Sequence, residues 1–453
     1  MFKRSYNPKK KGFGSLPPEK LTDDEVEELI EDWTPEPLLA SLPSTNALTT
    51  RKDIVVDEVV SASRIRVKGV SKEVVNFSSF DFLNLATNKS IKEKAVKTLG
   101  EYGCGSCGPR GFYGTFDSHL NLEKALAAFY GTDGAIIYSD TVSTSSSVVP
   151  AFAKRGDLVV CDDGVASPIL VGLRLSRAKI IYFKHNDMKD LERALEKVSK
   201  GYAKSGRKLD SQRRFIVVEG LYRDHGDFCP LRKVLDLKEK FKYRVVVDDS
   251  YGCFACGKNG QGVLDVAGVK SGDVDIFVGS MATTLGSVGG FCAGSTEVIA
   301  HQRLSGAGYV FSASQPPFTC ASAELALSLV GSATCAKSRQ DLVKNAKTLR
   351  NAFKKSTHSK FETTGSENSP IVYLRLKKAS GDDSAQEREL QRISDDVFSK
   401  GILIRRAIFR PLWKLPKKSK SPDAPRPAIR ILVNSAHTQS DLYALVKALN
   451  SAC

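Results

Sequence analysis

Short apolar, β-branched runs recur along the middle of the chain: "AIIY" from Ala135, "DLVVC" from Asp157, "KIIYF" from Lys179, "FIVVE" from Phe215, "RVVVD" from Arg244 and "DIFVG" from Asp275. Each is too short for a helix and lacks polar alternation, which predicts strands covered on both faces. Between several of them the period shifts to about 3.6, as in "DMKDLERALEKVSKG" and "LRKVLDLKEKFK", the mark of a helix with one buried side. Upstream, "SIKEKAVKTLGEYG" and "SHLNLEKALAAFYG" are also helical, each ending on a glycine suited to a cap. This alternation predicts an α/β fold with a mostly parallel central sheet and ligands at the carboxyl ends of its strands.

The rest of the chain divides by pattern. Residues 1–50 read as an arm, with a short acidic helix opened by the capping box of Thr22 and Glu25 in "TDDEVEELIEDW" and broken by the prolines of "TPEPLLASLPS". Residues 51–87, with the strand "VVNFSS", are expected to join a small lobe. Residues 88–325 form the large α/β domain. Residues 326–453 hold a long helix, "PIVYLRL", a basic loop, "AIRILVN" and a last helix, which predicts a smaller C-terminal α+β lobe.

The 453 residues are enough for one large domain and a smaller one, and a net charge of +16 accompanies an ordinary hydrophobic fraction of 41%. No stretch reaches the roughly 18 to 20 apolar residues of a membrane helix, and the N-terminal stretch lacks the apolar core of a signal peptide. Basic residues concentrate at Lys3, Arg4, Lys9, Lys10 and Lys11, and between Arg405 and Arg430, where nine oppose only Asp423. Neither cluster carries a nucleic-acid motif or aromatic platform. The 414–427 loop reads as solvated, and the first cluster suits an anionic lipid surface, at roughly 1 kcal/mol per basic residue. Ten cysteines point to reduced thiols. The pairs Cys104/Cys107 and Cys253/Cys256 lie about 145 residues apart, too far for a zinc ribbon, and no two of the six histidines have ligand spacing, so no metal is expected.

Three stretches carry candidate chemistry. "VGSMATTLGSVGGFCAGS", Val278 to Ser295, has the small residues of a ligand cradle, yet its turn holds no acid, base, thiol or amine. "RVVVDDSYG" puts Asp248 at a strand end some thirty residues earlier. Taken alone, such an Asp is a structural acceptor. Followed by a reactive group at a later strand end, it is the layout of a pyridoxal-phosphate (PLP) site, where the Asp pairs with the pyridinium and a lysine forms the Schiff base. "GCGSCG" at 103–108 matches G-x-G-x-x-G, but a helix precedes it and Pro109 prolongs the loop, which excludes a dinucleotide fingerprint. What remains is a glycine-dense loop carrying Cys107, Arg110, Gly111 and Tyr113.

Through "LTDDEVEELIEDWTPEPL", "YGCGSCGPRGFYGTFDSHLNLE", "YFKHNDMKDLE", "GGFCAGS", "HQRLSGAGYVFSASQPP" and "SAHTQSDL", the chain resembles the α-oxoamine synthases over nearly its whole length. These are PLP enzymes of fold type I that condense an amino acid with an acyl-CoA. The resemblance implies that the Schiff-base lysine falls at Thr283, a ring-stacking His at Ala166, a second His at Tyr251, a phosphate-contacting Ser at Arg223, and a Gly-aromatic phosphate pair at Asp140 and Thr141. Only Asp248 and Ser280 survive of the cofactor cradle. The nearest lysines, Lys258 and Lys270, lie in other segments. Within the family the chain is similar to the lysine-less subunit of the enzyme that joins L-serine and palmitoyl-CoA into 3-ketodihydrosphingosine. The implied assembly is an obligate heterodimer in which a lysine-bearing partner binds PLP covalently. This chain lends its loop to that pocket, with Cys107 nearest the chemistry. Related subunits have a membrane helix just ahead of the point matching "MFKRSYNPKKK". The resemblance thus implies an endoplasmic reticulum location, cytosolic face, with small activating and regulatory membrane subunits. The competing expectation is an autonomous PLP enzyme that uses an atypical lysine.

Overall fold

The computed structural model describes residues 22–31, 54–205, 212–356, 360–377, 383–407 and 426–452. The Lys3–Lys11 cluster and nearly all of the 414–427 loop lie outside them. The chain divides into two units, residues 1–52 and 53–453. Of the first, helix α1 (Asp23–Glu31) is described. Its expected capping box is closed, with Glu25 N–H donating to Thr22 Oγ1 at 3.3 Å and Thr22 N–H donating to Glu25 Oε2 at 2.9 Å.

In the second unit, β1 (Val56–Ser61), β2 (Arg64–Val67) and β3 (Val74–Asn76) form antiparallel pairs. There follow helices α2 (Lys89–Tyr102) and α3 (Asp117–Tyr130), with the glycine-rich loop between them. Asn88 caps α2 by accepting from Ile91 N–H, and Gly131 ends α3 in the left-handed conformation.

The alternation then runs β4 (Gly134–Tyr138), α4 (Thr141–Phe152), β5 (Leu158–Asp162), α5 (Ser167–Ser176), β6 (Lys179–Phe183), α6 (Met188–Ser205), β7 (Arg214–Glu219), α7 (Leu231–Phe241), β8 (Arg244–Asp248), α8 (Val263–Ala267), β9 (Ile276–Ser280) and β10 (Gly290–Gly294). The seven strands form one sheet in the order β4-β10-β9-β8-β7-β5-β6. All six apolar runs of the sequence are strands of this sheet. Strands β5 to β9 pair in parallel, whereas β10 runs antiparallel to both β9 and β4. The exception has a physical cause, because β10 returns through the short 281–289 turn and not through a crossover helix. Val245, Val247, Ile216 and Val218 are wholly buried, as strands covered on both faces require.

Helices α9 (Thr296–Ser305), α10 (Ala307–Val310) and α11 (Pro317–Val330) follow, and α11 packs on α2 and α3. The C-terminal part holds α12 (Ala333–Lys355), β11 (Phe361–Thr364), β12 (Ile371–Leu376), α13 (Asp383–Ser399), β13 (Ile402–Leu403), β14 (Arg405–Arg406), β15 (Ile429–Leu432) and α14 (Gln439–Ala452). Its antiparallel sheet, ordered β11-β12-β15-β14, buries Val372, Leu374, Ile429 and Ile431 against Leu349, Leu442 and Leu445. Strand β13 instead pairs in parallel with β3, which ties the two ends of the unit together. Among the described residues, no single helix is long and apolar enough to cross a membrane.

Candidate functional site

The sheet delivers a row of carboxyl groups and a hydroxyl to one edge: Asp162 at the end of β5, Glu219 on β7, Asp248 on β8 and Ser280 on β9. Asp248 is buried, and its Oδ1 accepts from Ser250 N–H at 3.0 Å and Ser250 Oγ at 2.6 Å. Burial pushes its carboxyl above the usual range, and hydrogen bonds from Ser145 and Ser250 oppose that rise. Serine hydroxyls and the Ser250 N–H therefore bond this acid within the chain. Asp249, wholly buried, accepts from Leu221 N–H at 2.9 Å and Val263 N–H at 2.7 Å, and burial pushes it up to about 7.

Every other position of the cradle is spoken for within the chain. Thr283 is 7% exposed, and its hydroxyl donates to the Ser250 carbonyl at 3.0 Å. Asp140 sits at the N-terminus of α4, where its carboxylate accepts from Ser143 N–H at 2.7 Å. A helix start of this kind is a natural phosphate seat, and here a side-chain anion already holds it. Thr141 Oγ1 lies 2.8 Å from Ser280 Oγ and donates to the Gly289 carbonyl at 3.1 Å. Ala166 offers no ring, and its N–H donates to Glu219. Tyr251 packs against Phe80 with ring centroids 5.1 Å apart, and burial pushes its phenol up to about 12. Arg223 pairs with Asp224 at 3.4 Å, and its N–H donates to Glu219 Oε2 at 2.8 Å.

The residues present therefore do not fit a covalently held PLP. Among the described residues no lysine lies in the cradle, and the Asp140 carboxylate caps the helix start to which the resemblance assigns the phosphate. Among the described residues no lysine is buried. Lys258 and Lys270 are exposed, so neither gains the desolvation that activates a nucleophilic lysine.

Within the glycine-rich loop, 103–116, Arg110 points inward. Its guanidinium makes a bidentate pair with Glu123 at 2.9 and 3.1 Å, and its Nε donates to Thr115 Oγ1 at 3.1 Å. The pair is almost wholly buried. Glu123 also accepts from Arg303 at 3.2 Å and Ile137 N–H at 3.2 Å. The loop is further braced on 312–315: Ser106 Oγ donates to the Ser314 carbonyl at 2.9 Å, and Ser314 N–H donates to the Gly108 carbonyl at 2.9 Å. His119 Nδ1 accepts from Phe116 N–H at 2.9 Å, which leaves Nε2 to donate to the Gln315 carbonyl at 2.7 Å. Thus "CGPRGFYGTFD" and "GYVFSASQPP", distant in sequence, form one structure.

What the loop does present is Cys107, Gly111, Phe112 and Tyr113, all exposed. Cys107 (φ 54°) and Tyr113 (φ 64°) both hold left-handed backbone, uncommon for residues with a Cβ. Gly114 permits the fold of the loop, since a Cβ there would stand 1.9 Å from the Gly108 oxygen. Cys104 is also exposed, whereas Cys253 and Cys256 are core residues, the former donating to the Ser280 carbonyl at 3.4 Å.

A buried cluster beside the cradle escaped the sequence reading. His185 Nδ1 lies 2.9 Å from Asp162, its Nε2 lies 3.0 Å from Asp227, and His225 stacks on it with centroids 3.8 Å apart. Burial disfavours the His185 charge, but its two carboxylate partners push it up to about 10, while burial and the His185 charge hold His225 down to about 4. Its members lie on three separate segments, and only "KHND" marked one of them.

A family model, aminotransferase class I and II, matches residues 72–449. Long chain base biosynthesis protein 1b of Oryza sativa subsp. japonica is 37% identical over 450 residues, covering 99% of this chain and 87% of that protein. Serine palmitoyltransferase 1 of Dictyostelium discoideum is 37% identical over 92% of this chain and 84% of its own length. Among solved structures, the Sphingomonas wittichii serine palmitoyltransferase superposes with a TM-score of 0.76 at 25% identity, covering 89% of this chain and 94% of that one. A variant serine palmitoyltransferase from S. paucimobilis, with bound PLP–myriocin aldimine, gives 0.76 at 25% identity over 88% and 92%. The chain belongs to the class I and II aminotransferase family and, within it, to the group of serine palmitoyltransferase 1 and long chain base biosynthesis protein 1 proteins.

Two outcomes follow for the site. Arg110→Ala leaves Glu123 without its bidentate partner and lowers stability by about 3–5 kcal/mol, read as a drop in the urea midpoint with faster amide exchange across 103–116. An unchanged midpoint would show that the ion pair does not hold the loop. Thr283→Lys alone yields no stoichiometric, borohydride-reducible imine at position 283 with added PLP, because Asp140 still occupies the phosphate seat. Such an imine, located by peptide mapping, would show that the cradle still accepts the cofactor.

Proposed function

We propose that the chain is the non-catalytic subunit of a heteromeric serine palmitoyltransferase, which converts L-serine and palmitoyl-CoA to 3-ketodihydrosphingosine, CoA and carbon dioxide. The observation that carries this reading is Thr283: a buried hydroxyl, bonded within the chain, at the position where the family resemblance puts the Schiff-base lysine. A lysine-bearing partner then supplies PLP, whose ring serves as the electron sink for the decarboxylating condensation. The alternative, an autonomous enzyme with an atypical lysine, has no buried lysine among the described residues to use.

In this reading the chain contributes shape and not chemistry. Its exposed Cys107 and Tyr113 reach the partner's pocket and complete its wall. Arg110, Glu123 and Arg303 act from behind as positioning residues, since they hold the loop's strained backbone before the partner arrives. Cys107 is compact and apolar enough to limit the space beside a small amino acid without blocking it. The complex lies on the cytosolic face of the endoplasmic reticulum membrane, where the N-terminal basic cluster flanks the bilayer and small activating and regulatory subunits join.

Expression of the chain alone, of a lysine-bearing homologue alone, and of both together tests the proposal. Condensing activity is expected only from the pair, and activity from the chain alone would contradict it. In the active pair, Cys107→Phe lowers kcat/KM for serine by about 10- to 100-fold, the scale set by a misplacement of roughly 1 Å at a reacting centre, while Cys107→Ser stays close to wild type. Equal kinetics for the two variants would remove Cys107 from the pocket wall.

A further inference from the structure

Helix α12 carries a row of exposed lysines that no part of the proposed function uses. Lys337, Lys344, Lys347, Lys354 and Lys355 are all exposed, with Gln340 and Asn351 between them. At about 100° per residue they fall within an arc of about 100°, and at 1.5 Å per residue they extend over about 27 Å. The opposite face of α12 is buried through Leu342, Ala346, Leu349 and Phe353. Beside it packs α14, which adds exposed Lys447 and Tyr443, and its one acid, Asp441, is turned inward onto Arg64 at 2.6 Å. Asp341, paired with Lys337 at 3.0 Å, is the only acidic residue on α12. Among the described residues, Lys344, Lys347, Lys354, Lys355 and Lys447 join no salt bridge. On the far flank of α14, helix α13 carries Asp395, Asp396 and Glu389, the last two paired with Lys400 and Arg392. The basic face is thus bounded.

We infer that the α12–α14 face docks on an anionic lipid bilayer surface. A straight row of flexible ammonium groups, of which only Lys337 joins a salt bridge among the described residues, suits a plane of lipid phosphates and carboxylates, which needs point charges and no fixed geometry. Lysine is depleted in protein–protein interfaces, where arginine and aromatic residues predominate. The face holds one exposed aromatic, Tyr443, too few for a nucleic-acid stacking platform. A groove of about 780 Å³ between the helices, lined by Asn351, Lys355, Tyr443 and Lys447, gives room for a headgroup. The inference stands on these residues alone, and its failure would leave the acyltransferase reading untouched.

The test is co-sedimentation of the full chain, alone and with its lysine-bearing partner, with phosphatidylcholine vesicles that contain or lack about 30 mol% phosphatidylserine. Binding is expected only to the anionic vesicles and falls at least tenfold between about 0.05 and 0.5 M salt, as screening demands. The triple variant Lys344→Glu, Lys347→Glu and Lys354→Glu loses at least tenfold in partitioning. An equal charge change on α6, Lys189→Glu, Lys197→Glu and Lys200→Glu, loses less than threefold. The drop persists when Lys9, Lys10 and Lys11 are changed to Gln, which separates this face from the N-terminal cluster. If the reversed triple fails to fold by circular dichroism, the milder Lys→Gln triple at the same positions is measured, with at least a threefold loss expected. Absent binding, equal losses from both faces, or retained vesicle binding with lost partner assembly would each overturn the inference.

Discussion

The carboxylate of Glu123 is the joint on which the exposed loop depends. It takes two nitrogens of Arg110, one of Arg303 and the backbone N–H of Ile137. One side chain thus links the loop, α3, α9 and the edge strand β4. The cost of burying so many polar groups is recovered only because nearly every lone pair has a donor. The left-handed backbone at Cys107 and Tyr113 persists in the same way. Each such residue carries strain of order 1 kcal/mol or more, held by surroundings that over-determine it. The same bracing leaves Phe112 and Tyr113 directed outward, exposed at the loop's tip.

The cradle at the sheet edge tells a complementary story. Its polar side chains bond to one another and to the backbone. Asp140 caps the helix that would seat a phosphate, Thr141 and Ser280 bond to each other, and Thr283 closes onto Ser250. Asp248 keeps its position but is satisfied by serine hydroxyls. Each of these polar groups has a hydrogen-bond partner within the chain, as folded proteins require of polar groups withdrawn from water. The result is a cradle whose polar groups are bonded within the chain.

Much of this was legible in the chain. Continuous apolar runs specified the six strands, five of them buried on both faces and the sixth, β6, only partly buried at the sheet's edge. The glycine density of 103–114 marked a shaped loop. Strand β10 was missed as an antiparallel member, since "GGFCAGS" has the composition of any buried strand and direction is set by the short turn before it. The direction of Arg110 was not legible, because its partner, Glu123, sits on the following helix and nothing local reveals which way a guanidinium points. The His185 cluster was invisible for the same reason: Asp162, His185, His225 and Asp227 meet only when the ends of β5, β6 and β7 are brought side by side.

The central claim is that turnover runs on a neighbour's amine while this chain supplies the wall. Borohydride reduction of the active two-chain complex, followed by peptide mass spectrometry of each chain, tests it most directly. The account predicts a phosphopyridoxyl mass on one lysine of the partner and none on this chain. The same mass on any lysine of this chain, at a stoichiometry matching activity, would contradict it.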